Sequence, residues 1–141
     1  MDRKAEAQWF GDLKSGNGTM SVGSGAFNGP FSFISRFEGS KDTNPEELLG
    51  AAHAGCFSMA LSNSLAGAGH VVTSVKTTAV VSVNKTDAGF AVTGIALTTR
   101  GVVPGLSNEK FVEFAEATKT GCIISKALSA VPMTLDAKLE G

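Results

Sequence analysis

The sequence has little cysteine, no tyrosine and no excess of charge of either sign. Its 141 residues include 2 cysteines, 4 prolines and 1 tryptophan, against 17 glycines. A chain of this length with 43% hydrophobic residues can bury a core without disulfide staples. We therefore expect a single domain over residues 1–141. The many glycines favour a loop-rich α+β fold over a helical bundle.

The charge pattern excludes some classes of partner. The formal net charge is -1, from 12 basic and 13 acidic residues, which gives no electrostatic reason to bind nucleic acid or an anionic membrane. No apolar run approaches the roughly 18 residues of a membrane helix, and residues 1–6 lack a hydrophobic signal core. We expect a cytoplasmic protein without a nucleic acid or membrane partner. In that compartment, two cysteines are more often core residues, metal ligands or catalytic thiols than a structural disulfide.

The first third of the chain has strand patterns followed by a helix start. Three strands separated by glycine-rich turns are predicted at residues 8–10, 18–22 and 31–37. In the third, the alternation places Arg36 in the strand interior, opposite the face that carries the phenylalanines. Asn44 as N-cap, Pro45 at the first helical position and Glu47 in the first turn predict a helix that begins at Pro45.

The rest of the chain has one helix enclosed by protein, a hairpin, and a helical segment before a last strand. Residues 48–65 have apolar side chains on nearly every face and small residues in the middle, which predicts a central buried helix. Alternation over 71–83 and 90–102 predicts a long β-hairpin. Ser107 or Asn108 then caps a helix that ends at Gly121. A short helix over 122–128 and a closing strand over 133–139 follow.

Cys56 is the residue that most invites a functional interpretation. Gly50 and Gly55 weaken the helix, and a break there would place Cys56 at a helix start, where amide dipoles lower the pKa of a thiol. The other interpretation is an unbroken helix with an inert core cysteine, because free cysteine is often buried. In an unbroken helix Glu46 would lie roughly 15 Å from Cys56, too far for contact within one chain. The residues alone leave both interpretations open.

Other residues near the thiols have alternative roles. His53 lies three residues before Cys56, on the same helical face, so a Cys–His hydrolase and a metal pair are two alternative interpretations. The cysteines and histidines lack the paired close spacing of a zinc site, and we expect neither a metal nor a cofactor. Cys122 is either a core residue or a second redox thiol. Glu46 and Glu47 also suit capping and the helix dipole.

A long segment around Cys56 resembles a known family motif. Residues 43–61, TNPEELLGAAHAGCFSMAL, closely resemble the peroxidatic-cysteine motif of the osmotically inducible protein C (OsmC) family. The segments RFEG at 36–39, DAGF at 87–90 and GC at 121–122 also match, and the likeness extends from Trp9 to the final strand. It is closer to the OsmC branch than to the sister organic hydroperoxide resistance branch, which usually carries a different residue where His53 stands.

The resemblance implies a fold and an activity. The fold would be α+β, with strongly bent, antiparallel-rich sheets around a long buried central helix, in an intertwined homodimer with two active sites at the subunit interface. The activity would be that of a two-cysteine thiol peroxidase, which reduces organic hydroperoxides and to some extent hydrogen peroxide. An external dithiol would regenerate it, a lipoyl-type dithiol being one candidate. A non-catalytic stress-response or small-ligand-binding protein of the same fold is the alternative.

The resemblance also assigns roles to residues. Cys56 corresponds to the peroxidatic cysteine, Cys122 to the resolving cysteine, Glu46 to the glutamate of the Asn-Pro-Glu motif, and Arg36 to the arginine of the Arg-Phe-Glu-Gly segment. Arg36 would stabilise the Cys56 thiolate and polarise the peroxide, while Glu46 would hold the guanidinium through a bidentate pair. Ile123 departs from the family, which commonly has proline there, a residue pre-set for the first turn of a helix.

Overall fold

The computed structural model describes residues 1–141 as an α+β chain of six strands and four helices, as expected from the sequence. In chain order the elements are β1 Ala5–Phe10, β2 Asn17–Val22, β3 Asn28–Phe31, α1 Phe33–Phe37, α2 Pro45–Gly67, β4 Ser74–Thr86, β5 Gly89–Val102, α3 Asn108–Gly121, α4 Ile123–Ala127 and β6 Met133–Leu139. The chain divides into two compact units, residues 1–48 and 49–141. That they form one domain stays a prediction.

The first unit contains an antiparallel sheet in the order β1-β2-β3. Its register pairs Ala5 with Val22 and Gly18 with Phe31. The rings of Trp9 and Phe31 pack with their centroids 5.2 Å apart. The strands predicted at 8–10 and 18–22 are therefore confirmed.

The prediction of a strand over 31–37 is wrong, and so is the strand position of Arg36. The strand β3 ends at Phe31, and the chain enters the short helix α1. Ser32 and Ser35 form a capping box: the Ser35 backbone N–H donates to Ser32 Oγ at 3.2 Å, and the Ser32 backbone N–H donates to Ser35 Oγ at 2.9 Å. Phe33 and Phe37 then lie four residues apart on one helical face, with ring centroids 5.0 Å apart.

The long helix α2 begins at Pro45, as predicted, and Asn44 caps it by accepting from the Glu47 N–H at 2.8 Å. The Glu47 carboxylate accepts from Thr43 Oγ1 at 2.8 Å. The helix continues without interruption to Gly67, so the interpretation that it breaks before Cys56 is wrong. One stripe is buried, consisting of Gly50, His53, Phe57, Leu61 and Leu65. In a single chain the opposite stripe is exposed.

The second unit is built on the hairpin of β4 and β5. The two strands pair antiparallel from Ser74 with Val102 to Thr86 with Gly89, with a bulge at Ser82/Val83. The last strand, β6, pairs parallel to β5, so this sheet has the order β4-β5-β6. The predicted hairpin and closing strand are thus confirmed. The core lies between this sheet and the helices, and its buried apolar residues are Phe57, Leu61, Leu65, Ile95, Leu97, Val103, Phe111, Ala115 and Cys122.

Two helices connect β5 to β6. Ser107 caps α3 by accepting from the Lys110 N–H at 3.3 Å, and α3 ends at Gly121 as predicted. Cys122 ends α3 and is also the N-cap of α4. The joint between the two helices therefore carries a thiol. None of the four helices combines the length and the apolarity needed to cross a membrane.

Candidate active site

Arg36 and Glu46 form a forked ion pair in the first unit. The Arg36 Nη2 donates to Glu46 Oε1 at 2.6 Å, and its Nε donates to Oε1 and Oε2 at 3.1 and 3.3 Å. The Arg36 side chain is 40% exposed and that of Glu46 is 12% exposed. The Asn44 amide donates to the Ser35 carbonyl at 3.3 Å, which ties α1 to the start of α2. The guanidinium is therefore oriented on one side and open on the other.

An aromatic cavity lies beside the guanidinium. It has a volume of ≈ 370 Å³ and is lined mainly by Trp9, Leu13, Phe31, Phe33, Arg36 and Phe37. The guanidinium carbon lies 5.4 Å from the centroid of the Phe37 ring, within the range of a cation–π contact. This cavity offers an apolar space next to a positive charge.

Cys56 and Cys122 meet in the second unit as free thiols. Cys122 is buried, with 2% of its surface exposed, and Cys56 is partly buried. The two thiols lie close enough for each to shift the pKa of the other. The Ile124 N–H points at Cys56 Sγ from 3.5 Å. The structure thus brings together the two cysteines that the sequence separates by 66 positions.

The two thiols differ in acidity. Burial raises the pKa of Cys56 and is the largest effect; the Ile124 N–H lowers it, the neighbouring Cys122 raises it again, and the pKa of Cys56 is raised overall. Burial also raises the pKa of Cys122, but hydrogen bonds from Ser125, Cys56 and the Ile124 N–H outweigh it, and the pKa of Cys122 is lowered overall. A reactive Cys56 therefore requires a further positive charge near its sulfur.

His53 pairs with Ser125, and its ring is completely buried. Its Nε2 lies 2.7 Å from Ser125 Oγ, and its Nδ1 has no hydrogen-bond partner. Burial lowers the pKa of His53. The Cys–His hydrolase interpretation loses its support, because neither imidazole nitrogen is hydrogen-bonded to Cys56: Nε2 contacts Ser125 and Nδ1 has no partner. No three His, Cys, Asp or Glu side chains cluster in a way that could hold a metal ion.

Ser125 is the site residue that sequence reasoning missed. Its hydroxyl accepts from Cys122 Sγ at 3.2 Å, and its backbone N–H donates to the same sulfur at 3.3 Å. A signal was present, since Cys122 and Ser125 occupy the N-cap and third positions of α4, where side chain and backbone normally meet. Its bond to His53 spans 72 positions, and no local pattern predicts it.

Comparisons with known proteins place the chain in a family. Residues 38–136 match the family model described as OsmC-like protein. The chain is 52% identical over 139 residues to Peroxiredoxin OsmC of Escherichia coli (strain K12), covering 98% of this chain and 96% of that protein, and the values for Peroxiredoxin OsmC of Shigella flexneri are the same.

Solved structures share the fold at lower identity. An organic hydroperoxide resistance protein from Elizabethkingia anophelis aligns with a TM-score of 0.79 at 21% identity, covering 97% of this chain and 96% of that one. A second, from Legionella pneumophila, aligns with a TM-score of 0.75 at 23% identity, covering 96% of each chain. With nearly its whole length matched in sequence and in fold, the chain belongs to the OsmC-like protein family.

Proposed function

We propose that the protein is a thiol peroxidase that reduces organic hydroperoxides, and hydrogen peroxide less efficiently, through Cys56 and Cys122. The observation that carries this proposal is the pair of free, neighbouring thiols in a largely buried setting. The 52% identity to proteins named Peroxiredoxin OsmC supports it. Free thiols also suit a reducing compartment, which supports a cytoplasmic site of action.

The reaction proceeds in three steps. The Cys56 thiol ionises, its thiolate attacks one peroxide oxygen, and the O–O bond breaks. The leaving alkoxide takes up the proton that the thiol released and departs as an alcohol, and Cys56 becomes a sulfenic acid. The Cys122 sulfur then attacks the Cys56 sulfur, which forms the disulfide and releases water. An external dithiol, for which a lipoyl-type compound is our candidate, reduces this disulfide by exchange.

Arg36, held in place by Glu46, provides the positive charge that Cys56 needs. A guanidinium beside the thiolate lowers its pKa and holds the peroxide, and the forked contact with Glu46 fixes its plane. Glu46 and Cys56 of one chain are ten residues apart on the uninterrupted helix α2, which corresponds to roughly 15 Å and is too far for contact. We therefore infer that the Arg36–Glu46 pair of one protomer serves Cys56 of its partner.

The exposed stripe of α2 supports a homodimer. It carries the small residues Ala51, Ala52 and Gly55, followed by Met59, which is 76% exposed. A Cβ at Gly55 would meet no atom within 4 Å, so the surface is open there. Small side chains permit a second chain to approach the backbone closely, and a covered Met59 would bury apolar surface.

The aromatic cavity beside Arg36 supports an organic substrate. Its volume of ≈ 370 Å³ lies within the range of pockets that hold small molecules, and four aromatic rings line it. The guanidinium binds the peroxide group while the rings cover the organic substituent. Hydrogen peroxide has no organic substituent to fill this cavity, so contact with the rings does not strengthen its binding.

A thiol titration tests the proposal. A small molar excess of cumene hydroperoxide is added to the reduced protein, and the remaining free thiols are counted. We expect a loss of two thiols per chain in the unaltered protein and of none in Cys56→Ser. Survival of both thiols would favour the non-catalytic alternative and contradict the proposal. Steady-state reduction of cumene hydroperoxide and hydrogen peroxide then tests the substrate preference.

A further inference from the structure

His53 is a fully buried ionisable side chain that the three steps above do not use. It lies on α2, one turn before Cys56, yet its contact is with Ser125 on α4. Ser125 in turn contacts the sulfur of Cys122. A continuous chain of hydrogen bonds therefore runs from the imidazole to the second thiol, and it is shielded from water because His53, Ser125 and Cys122 are each at most 4% exposed.

The direction of these hydrogen bonds fits the movement of a proton. Ser125 Oγ accepts from the Cys122 thiol, so its own proton is free to point at His53 Nε2, 2.7 Å away. The neutral imidazole then carries its proton on Nδ1. Once the thiol has lost its proton, the same three groups can donate in the reverse direction, from His53 to Ser125 to the Cys122 sulfur. The contacts between His53, Ser125 and Cys122 can thus donate in either direction without moving a heavy atom, while Nδ1 has no acceptor in either state.

We propose that His53, acting through Ser125, is the positioning residue that accepts the proton of Cys122 during the resolving step. The inference rests on the proposed peroxidase function for the identity of that step. It assigns a role to a buried imidazole whose remaining nitrogen has no partner.

The atoms balance over the step. The Cys122 proton passes to Ser125 Oγ as the Ser125 proton passes to His53 Nε2, and the resulting thiolate attacks the sulfur of the Cys56 sulfenic acid. The S–S bond forms and the S–O bond breaks. The proton on His53 returns through Ser125, its hydrogen-bond partner, and the leaving hydroxide takes it up to become water. No net proton is gained or lost. Because burial lowers the pKa of His53, the imidazolium does not persist.

Other ionisable groups near Cys122 also influence its pKa, and their contribution must be measured separately from that of His53 and Ser125. Cys56 lies on α2 beside the sulfur. Lys119 on α3 and Lys126 on α4 line a cavity of ≈ 460 Å³ that reaches Ser125. A positive charge in that cavity is the competing explanation for a thiol of low pKa, and Lys126→Gln measures its contribution.

The first test does not depend on peroxidase activity. In a Cys56→Ser background only Cys122 contributes a thiolate, and its ultraviolet absorbance is followed against pH. We expect Ser125→Ala and His53→Gln each to raise the pKa of Cys122 by about one unit, a tenfold change in the ionisation constant. Ser125→Thr should restore it, because the hydroxyl is kept. An unchanged pKa in both variants, or an equal rise in Lys126→Gln, would overturn the inference.

The second test follows a single turnover with hydroperoxide. We expect His53→Gln and Ser125→Ala to slow the formation of the disulfide by about 100-fold, within the range of general base catalysis. The Cys56 sulfenic acid, trapped with dimedone, should accumulate. Ser58→Ala, which removes a hydroxyl on α2 that donates to Thr77 at 2.8 Å, serves as the matched control and should behave as the unaltered protein. Disulfide formation at the unaltered rate in both variants contradicts the role of His53.

The two proposals can fail separately. If the unaltered protein gives no sulfenic acid with hydroperoxide, the proposed function is wrong, and the absorbance measurement still decides whether His53 and Ser125 control the acidity of Cys122. If sulfenic acid forms but neither variant delays the disulfide, only the inference about His53 is wrong.

Discussion

Replacing Arg36 by methionine removes a positive charge while keeping a long side chain. Burial raises the pKa of Cys56, and a nearby cation lowers the pKa of an acid by about 1–3 units. Without Arg36 the thiolate fraction near neutral pH should fall about 10- to 1,000-fold. A thiolate of higher pKa is a better nucleophile, with a Brønsted coefficient of about 0.4–0.5, which offsets about half of this loss on a logarithmic scale. We expect the reaction with hydroperoxide to slow about 3- to 30-fold from this effect alone.

The assay is the rate of the first turnover, measured by rapid mixing with excess hydroperoxide. Arg100→Met is the matched control, because Arg100 donates to the Asp136 carboxylate at 2.8 Å in a comparable ion pair on β5. It should retain the rate of the unaltered protein. A first-turnover rate in Arg36→Met that equals that of Arg100→Met would refute the role of the guanidinium.

Mixing the slowed Arg36→Met variant with the inactive Cys56→Ser variant tests whether the charge comes from the partner. Arg36→Met chains keep Cys56, and Cys56→Ser chains keep Arg36. In a symmetric dimer, random exchange gives half mixed dimers with one complete site each, about a quarter of the sites of the unaltered protein. We expect this recovery after the subunits are unfolded together and refolded. No recovery beyond the residual rate of Arg36→Met would show that Arg36 acts within its own chain.

Three further predictions concern stability and assembly. Gly101→Ala should lower the free energy of unfolding in urea by about 1–3 kcal/mol, because its Cβ would lie 2.4 Å from a ring carbon of the buried Phe111. The pKa of His53 in the folded state is below its ordinary value of 6.5, because the folded protein favours the neutral imidazole. The contribution of His53 to the free energy of unfolding is therefore complete above pH 6.5. It is lost as the pH falls below that value, by up to about 1.4 kcal/mol per pH unit in urea titrations. Met59→Lys should convert the proposed homodimer to a monomer in analytical ultracentrifugation, because a charge would be buried at the proposed contact through α2.

Each of these predictions has a control. Gly121→Ala meets no atom within 4 Å and should not destabilise the protein. His70→Gln keeps His53 and should keep the loss of stability at acid pH, whereas His53→Gln should lose it. Val71→Lys changes a residue that is 75% exposed, like Met59, but lies outside α2, and should leave the proposed dimer intact. Equal behaviour of a test variant and its control contradicts the corresponding prediction.

The helix α1 shows where pattern reasoning from the sequence fails. Phenylalanines at 31, 33 and 37 alternate as in a strand, but Ser32 and Ser35 satisfy each other as a capping box and start a helix. A helix also brings Phe33 and Phe37 together, at the four-residue spacing that a strand cannot use in this way. The residues after Phe31 fit a strand and a helix equally well by their apolar spacing, and the hydrogen bonds between Ser32 and Ser35 favour the helix.

The candidate site could be predicted in part. The start of α2, the hairpin and the helix ending at Gly121 follow from caps, alternation and glycine, which are local signals. The four residues assigned by resemblance appear as two geometric pairs, Arg36 with Glu46 and Cys56 with Cys122. The contact of His53 with Ser125 and the parallel pairing of β6 depend on residues far apart in the chain, and local patterns do not encode them.

Cys122 lies between α3 and α4, where it has a structural role as a helix cap and a proposed chemical role as a thiol. Its sulfur accepts the first-turn N–H of α4, a task for which serine is the more common side chain. Cys122→Ser should therefore keep the fold at nearly full stability, whereas Cys122→Ala should cost about 1 kcal/mol in a urea titration because the cap is lost. An oxygen atom in place of the sulfur would keep the helix cap and remove the disulfide that we propose for the catalytic cycle. The replacement of one atom at this position would therefore end the proposed redox cycle without a loss of stability that would select against it.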